Sequence, residues 1–271
     1  MLFSFLFWNL MKRPLQDRLA RIVITQEVDV VILAECVEPS GNVLTALNAV
    51  TAGAYHLPYS MGSKLHLFTR FEARLTTDLF NDPIGGLTIR HLQIGAHPGI
   101  LLAGVHFPSR VNWDRDDQTL EATTLANDIA RTEAEQFNDR TVLVGDLNMN
   151  PFDPGIVGAQ ALHAVMTKRL ASRQERDVRG RPYRFFYNPM WGHFGDRTDG
   201  PPATYYLSSS KPGNHFWHMY DQVLLRPALM NSLREVRILD TDGMEPLVSP
   251  NGIPNQTGGS DHLPLLFRLE L

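Results

Sequence analysis

Apolar residues in this chain fall into short continuous runs and into runs spaced by three or four, and the alternation of the two predicts an α/β fold. Residues 1–8 and Val30–Ala34 are apolar runs of strand length, and between them Leu15, Leu19, Ile22 and Val23 recur at helical spacing. A helix over residues 43–50 follows, so the chain opens as β-α-β-α. The texture then changes to short β-rich segments at residues 65–70, 73–80, 86–94 and 99–107, separated by turn residues, which predict an antiparallel meander. A long helix with Ala122, Leu125, Ala126, Ile129, Ala130 and Phe137 on one face leads into a buried strand starting at Thr141. Beyond Pro154 the pattern predicts a helix over residues 156–170, a loop-rich stretch to about residue 202, a strand at residues 203–206, and two closing strands, Asp221–Leu225 and residues 263–271.

Composition adds limits. With 271 residues, 43% of them hydrophobic, the chain can bury a large core, and no linker or repeat divides it, so one domain spanning residues 1–271 is expected. Its single cysteine, Cys36, excludes an intramolecular disulfide framework and is expected to fill core space. Residues 1–8 lack a basic flank, a small-residue cleavage site and the ~20-residue length of a membrane span. No membrane association and a cytoplasmic location are therefore expected, as a monomer. The net charge of −4 argues against an indiscriminate coat for nucleic acid but permits a local basic groove.

Polar residues collect where the strands stop and start. Asn9, Glu35, His106 and Asp146 follow apolar runs, whereas Asp221, Asp261 and His262 precede them. Strands of opposite direction bring such ends to one edge of a sheet. Gly145 permits a sharp exit, so that Asp146 and Asn148, two residues apart, can face the same side. Taken alone, each has an ordinary alternative: the Asp146 turn is equally an Asx turn, Asn9 and Asp221 are equally caps, and His106 is equally a satisfied core histidine. Gathered together, the carboxylates would repel one another unless a cation neutralised them. Asp240-Thr241-Asp242-Gly243 places its glycine too early for a calcium loop, and His215-x-x-His218 lacks the third ligand of a zinc site.

In order along the chain, Trp8-Asn9, Glu35, the strand at residues 67–70, Val105-His106, Gly145-Asp146-Leu147-Asn148, Tyr220-Asp221-Gln222-Val223 and Ser260-Asp261-His262-Leu263-Pro264 resemble the endonuclease/exonuclease/phosphatase superfamily. Its members include deoxyribonuclease I, apurinic endonucleases, inositol polyphosphate phosphatases and neutral sphingomyelinases. The resemblance implies a four-layer α/β/β/α sandwich of two mixed, largely antiparallel sheets flanked by helices, with the site at one edge. It also implies Mg²⁺, with Mn²⁺ as a substitute, held by Glu35 with Asn9 and Asp261. Asp146 would then activate water, Asn148 position it or a phosphoryl oxygen, and His262, oriented by Asp221, meet the scissile phosphate. His106 would be a second phosphate contact. Two departures stand out: apurinic endonucleases usually carry tyrosine where His106 falls, and Ser63-Lys64 lies near the place of a glutamate that pairs with the corresponding histidine in deoxyribonuclease I.

The segment 168–186 bears on the substrate. Its basic residues include Arg173, Arg176, Arg179, Arg181 and Arg184, with Tyr183, Phe185 and Phe186 among or after them. A solvated charged loop is one reading. The other is a flexible phosphate-gripping loop beside the catalytic edge, joined by Arg110, with aromatics for base stacking. The second favours a Mg²⁺-dependent nuclease acting on DNA or RNA over a phosphatase or phospholipid phosphodiesterase of the same fold, and over a binding module without activity.

Overall fold

A computed structural model describes residues 1–60, 63–94, 98–109 and 113–271 and arranges them around two mixed sheets of five and seven strands. In chain order the elements are β1 (Leu2–Asn9), α1 (Gln16–Thr25), β2 (Val30–Ala34), α2 (Ser40–Thr51), β3 (His66–Thr69), β4 (Thr76–Asn81), β5 (Leu87–Leu92), β6 (Ile100–His106), α3 (Arg115–Glu135) and β7 (Thr141–Asp146). There follow α4 (Pro154–Val157), β8 (Ala164–Val165), α5 (Lys168–Ala171), β9 (Glu175–Val178), β10 (Arg181–Arg184), β11 (Phe186–Tyr187), β12 (Tyr205–Tyr206), β13 (Trp217–His218), β14 (Asp221–Leu225), β15 (Leu233–Ile238) and β16 (Leu265–Glu270). The five-stranded sheet runs β15-β16-β1-β2-β3 and the seven-stranded sheet β4-β5-β6-β7-β14-β11-β8.

Side-chain alternation decides how the layers stack. On the seven-stranded sheet, Ile100 and Leu102, Val142 and Val144, and Val223 and Leu225 join the core formed with β1, β2 and β16. Their neighbours Leu101, Ala103, Val105, Leu143 and Leu224 point the other way, against Ala122, Leu125 and Ile129 of α3. Leu19, Ile22 and Val23 of α1 and Val43 and Leu47 of α2 cover the outer side of the five-stranded sheet. The result is an α/β/β/α sandwich. Burying each such side chain is worth about 1.5–3 kcal/mol, and a one-residue slip would expose a whole face, so the register is firmly set.

Several elements depart from the pattern read in the sequence. β3 leaves the meander and pairs with β2 at the edge of the other sheet, whereas β4, β5 and β6 do form a meander. Phe137 is 98% exposed, because α3 ends at Glu135 and the chain exits through a left-handed residue, φ 48°, at Phe137 itself. The expected helix over residues 156–170 is broken into the single turns α4 and α5 with the short strand β8 between them, since the chain turns extended at Gly158 and left-handed at His163. The loop-rich stretch contains the β9–β10 hairpin, and β15 adds a strand. Cys36 is only partly buried, packed against the rim of the core. Among the described residues no helix is long and apolar enough to cross a membrane.

Candidate active site

Three neighbouring strands put three polar residues in one row. β6 runs parallel to β7 with His106 opposite Asp146, and β14 runs antiparallel to β7 with Asp221 opposite Asp146. Gly145 makes this close approach possible: its φ is +154°, and a Cβ there would lie 1.9 Å from the Val105 carbonyl oxygen. The Asp146 carboxylate is held from two sides. Its Oδ1 accepts the Asn148 N–H at 2.9 Å, and its Oδ2 accepts from Asn9 Nδ2, across the sheets, at 3.0 Å. Asn148, at φ 49°, donates its own Nδ2 to the Phe107 carbonyl at 2.8 Å, so its amide ties the strand exit together while it lines the cavity.

The five-stranded sheet supplies the other half. Asn9 ends β1, and Glu35 follows β2 in a left-handed conformation, φ 48°. Just before β16, Ser260 donates to the Asn9 carbonyl at 2.6 Å and accepts the His262 N–H at 3.1 Å. Trp8 Nε1 holds the His262 carbonyl at 2.9 Å. These bonds bring Asp261 and His262 beside Asp146. His262 Nδ1 lies 2.8 Å from Asp221 Oδ2, and its Nε2 lies 3.8 Å from Asp146 Oδ2. His106 Nε2 is 3.4 Å from Glu35 Oε1 and 3.9 Å from Asp146 Oδ2. Glu35 is thus the carboxylate beside His106.

Charge and burial shift these groups in opposite senses. Burial alone would lower His262, but the Asp221 and Asp146 charges and the Asp221 hydrogen bond outweigh it and carry its pKa up to about 10. Burial lowers His106 too, and Glu35 and Asp146 reverse it into a net rise. The hydrogen bond from His106 holds Glu35 below its usual range against the desolvation that would raise it. Burial pushes Asp146 up, and it pushes Asp261 up as well, aided there by the charges of Asp221 and Glu35.

A cavity of about 480 Å³ opens on this row, lined by Glu35, His106, Asp146, Asn148, Asp261 and His262. Tyr220 of the Tyr220-Asp221 motif lines it too, with Lys211 and Tyr205, neither of which the sequence had marked for the site. Tyr205 stacks on Tyr220 at 5.3 Å and lies 4.7 Å from the His262 ring. The only sequence signal for Tyr205 was its place in a short strand, and Lys211 sits in a Ser- and Pro-containing loop with no periodicity at all.

The arginine-rich segment is placed differently from expectation. It forms the β9–β10 hairpin, in which Arg184 donates to Glu133 and Asp139 at 2.9 Å each. Glu133 also accepts from Thr141, the first residue of β7, so the hairpin is anchored at the end of the sheet away from Asp146. Arg179 and Arg181 line a separate cleft with Thr119 and Thr123 of α3, and Arg173, Arg176, Arg179, Arg181 and Arg184 are absent from the described lining of the Asp146 cavity. Arg110 lies outside the described residues. Asp242 is engaged by Arg18 and Arg21, and His215 and His218 both reach Asn150.

A search of curated proteins finds no match. Among solved structures, the chain is similar to ANGEL2, a 2',3'-cyclic phosphatase in complex with adenosine-2',3'-vanadate, at 18% identity and TM-score 0.61 over 100% of this chain and 96% of that one. It is similar to D. rerio TDP2 complexed with single strand DNA product, at 14% identity and TM-score 0.58 over 100% and 99%. The endonuclease domain of TRAS1, a telomere-specific non-LTR retrotransposon, matches at 14% identity and TM-score 0.51 over 99% of each chain. These likenesses are of fold. At the level of sequence, residues 6–262 match the model of one family, and the chain belongs to it: the Endonuclease/Exonuclease/phosphatase family.

Proposed function

We propose that this chain is a metal-dependent phosphoesterase that hydrolyses phosphodiester bonds of nucleic acid with water activated by Asp146. The observation that carries the proposal is that His106, Asp146 and His262, the last backed by Asp221, face one cavity together with Glu35, Asp261 and Lys211. The oxygen donors fit a hard divalent cation, Mg²⁺ or Mn²⁺. Glu35 and Asp261 would hold it with Asn9, since Asp261 is raised by burial and by its carboxylate neighbours, a repulsion that a cation relieves. Asp146, Asp221 and His262 also bring ligand atoms within 4.8 Å of one another, but the Asp221–His262 bond and the imidazolium it stabilises occupy that trio. When bound, the cation supplies positive charge to the phosphoryl and leaving oxygens.

Asp146 is the base. Two N–H donors fix its orientation, and burial raises its basicity, the combination that general-base catalysis requires. His262 is cationic and fixed by Asp221, and it donates from Nε2 to the phosphoryl oxygen where charge develops. His106, between Glu35 and Asp146, and Lys211 are further contacts for phosphate. Asn148 keeps Asp146 aimed into the cavity. The exposed Arg173, Arg176, Arg179 and Arg181 form an outlying surface for a polyanion, from which Arg184 is withdrawn by its two carboxylates, and Arg110 is a further phosphate contact.

That similar folds bind a single-strand DNA product in TDP2 and adenosine-2',3'-vanadate in ANGEL2 favours a nucleotide phosphoester. Labelled single- and double-stranded DNA and RNA, incubated with the protein in Mg²⁺ and in chelator, test this directly. Cleavage in Mg²⁺ alone is expected. With about four phosphate contacts on duplex DNA, binding falls roughly 10²-fold between 50 and 200 mM salt. Absence of polynucleotide cleavage, together with phosphate release from an inositol phosphate or a nucleotide, overturns it.

A further inference from the structure

On the other side of Glu35 lies a second cavity, of about 620 Å³, which shares Glu35, His106 and Pro108 with the first. Its cations are Lys12 and Lys64, set among Cys36, Val37 and Ile84. Among the described residues neither ammonium is within salt-bridge or hydrogen-bond distance of a partner, and the Lys12 charge reaches Glu35 only from further off, adding to what lowers that carboxyl. Of the two histidines that also line it, His106 is engaged by Glu35, and His66 is taken up by Ser40 Oγ at 3.1 Å and is lowered by burial. The backbone that presents Lys12 is itself unusual: Met11 and Lys12 stand at φ 52° and 54°, two consecutive left-handed residues without a glycine. Asn9 Oδ1 accepts the Met11 N–H at 3.0 Å, and Glu35 accepts the Lys12 N–H at 3.0 Å, so the turn is held by two residues of the site. Strained turns persist where the surroundings fix them, and this one delivers a cation beside Glu35.

We infer that this second cavity is the subsite for the phosphate adjoining the scissile one, with Lys12 and Lys64 gripping it one nucleotide along the strand. The inference rests on the nucleic-acid reading above and adds to it which part of the strand is read. Two lysines that no carboxylate among the described residues holds at salt-bridge distance, in a partly apolar recess, suit a second anion of the same substrate, since a lone phosphate at Asp146 would leave them without a direct contact. A small polyphosphorylated molecule carries the same chemistry, and the experiment separates the two sources.

The measurement compares kcat/KM in Mg²⁺ for a dinucleoside monophosphate, for trinucleotides carrying one additional adjoining phosphate on either side, for the same trinucleotides with that phosphate replaced by neutral methylphosphonate, and for an inositol bisphosphate. Wild type should prefer one of the charged trinucleotides by about tenfold, the scale of a charge-assisted contact, and the methylphosphonate should abolish the preference without touching the protein. Lys12→Gln with Lys64→Gln should reduce the preference to about twofold or less through KM, and Lys12→Arg with Lys64→Arg should restore most of it. Oligonucleotide cleavage that is indifferent to the methylphosphonate, or a preference that survives the glutamine pair, overturns the subsite alone. Turnover of the inositol bisphosphate with no oligonucleotide cleaved overturns both the subsite and the function it rests on.

Discussion

Asp146 and Asp221 face each other directly across the β7–β14 ladder, each 1% exposed, with the His262 ring reaching both. Two buried carboxylates in such a position repel, and the imidazolium is what reconciles them. Neither acid is independent of the histidine.

That dependence makes the Asp221–His262 pair act as a unit. Asp221→Asn, His262→Ala and the double variant should lose turnover on a chromogenic phosphodiester to nearly the same extent, because removing one partner already disables the other. Losses that multiply in the double variant would assign Asp221 a separate task.

The base and the ligand should separate from stability. Asp146→Asn and Glu35→Gln are each expected to reduce turnover by about 10²-fold or more, while thermal melting shows a folded protein. Near-normal turnover in either variant sinks the corresponding role.

His262 also makes stability depend on pH. Its folded value, about 10, stands above the unfolded 6.5, so the stabilisation from the charged pair is fully present below about pH 6.5 and is lost as pH rises through 10. The stability gap between wild type and Asp221→Asn, measured by urea unfolding, should therefore be widest near pH 6 and shrink steadily toward pH 10. A gap that widens with pH contradicts the charged form.

Gly145→Ala should be among the most damaging single-methyl changes in the chain. The added Cβ meets backbone, the Val105 carbonyl, and the φ of +154° disfavours any side chain. A loss of more than about 4 kcal/mol, or failure to fold, is expected, and a loss under about 1 kcal/mol would mean that β6 and β7 can part.

Far from the cavity, Arg226 and Glu133, both 4% exposed, form a two-pronged pair at 2.8 and 3.2 Å, with the guanidinium over the Phe186 ring. Arg226→Leu should cost somewhat less than the roughly 3–5 kcal/mol of an uncompensated buried charge, because Glu133 keeps Arg184 and Thr141. Adding Glu133→Leu should recover part of that loss in urea unfolding, and a fully additive double variant would show that the two do not depend on each other.

Where the sequence was legible, burial was uniform. β2 and β14 match their apolar runs end to end because every residue in them is buried, and a polar residue at the end of such a run has only the sheet edge to occupy. β15 was missed because it lies at a sheet edge and alternates charge with only Val236 and Ile238 buried. The stretch after Pro154 misled for another reason: its apolar residues Ile156, Leu162, Ala164 and Leu170 carry no clean period of either kind, and the turn at Gly158 that ends the helix is a backbone event. The arginines were visible, but their destination was not, since Glu133, which captures Arg184, lies on a helix read only for its apolar face. Lys12, Lys64 and Lys211 were not assigned to the site because a lone lysine carries no periodicity, and only the folded chain shows which cavity each of them lines.

The pairing of β1 with β16, with Phe5 stacked on Phe267 at 4.8 Å, sets a timetable for the enzyme's birth. Asn9, at the end of β1, is made well before Asp261 and His262, which come just ahead of β16, the strand that must fill the gap between β15 and β1. Contacts of such long sequence separation close late, and domains complete only once their last strand has emerged. A nascent chain that stops short of β16 therefore lacks the strand that sets Asp261 and His262 in place, and the site cannot assemble until translation has passed this point.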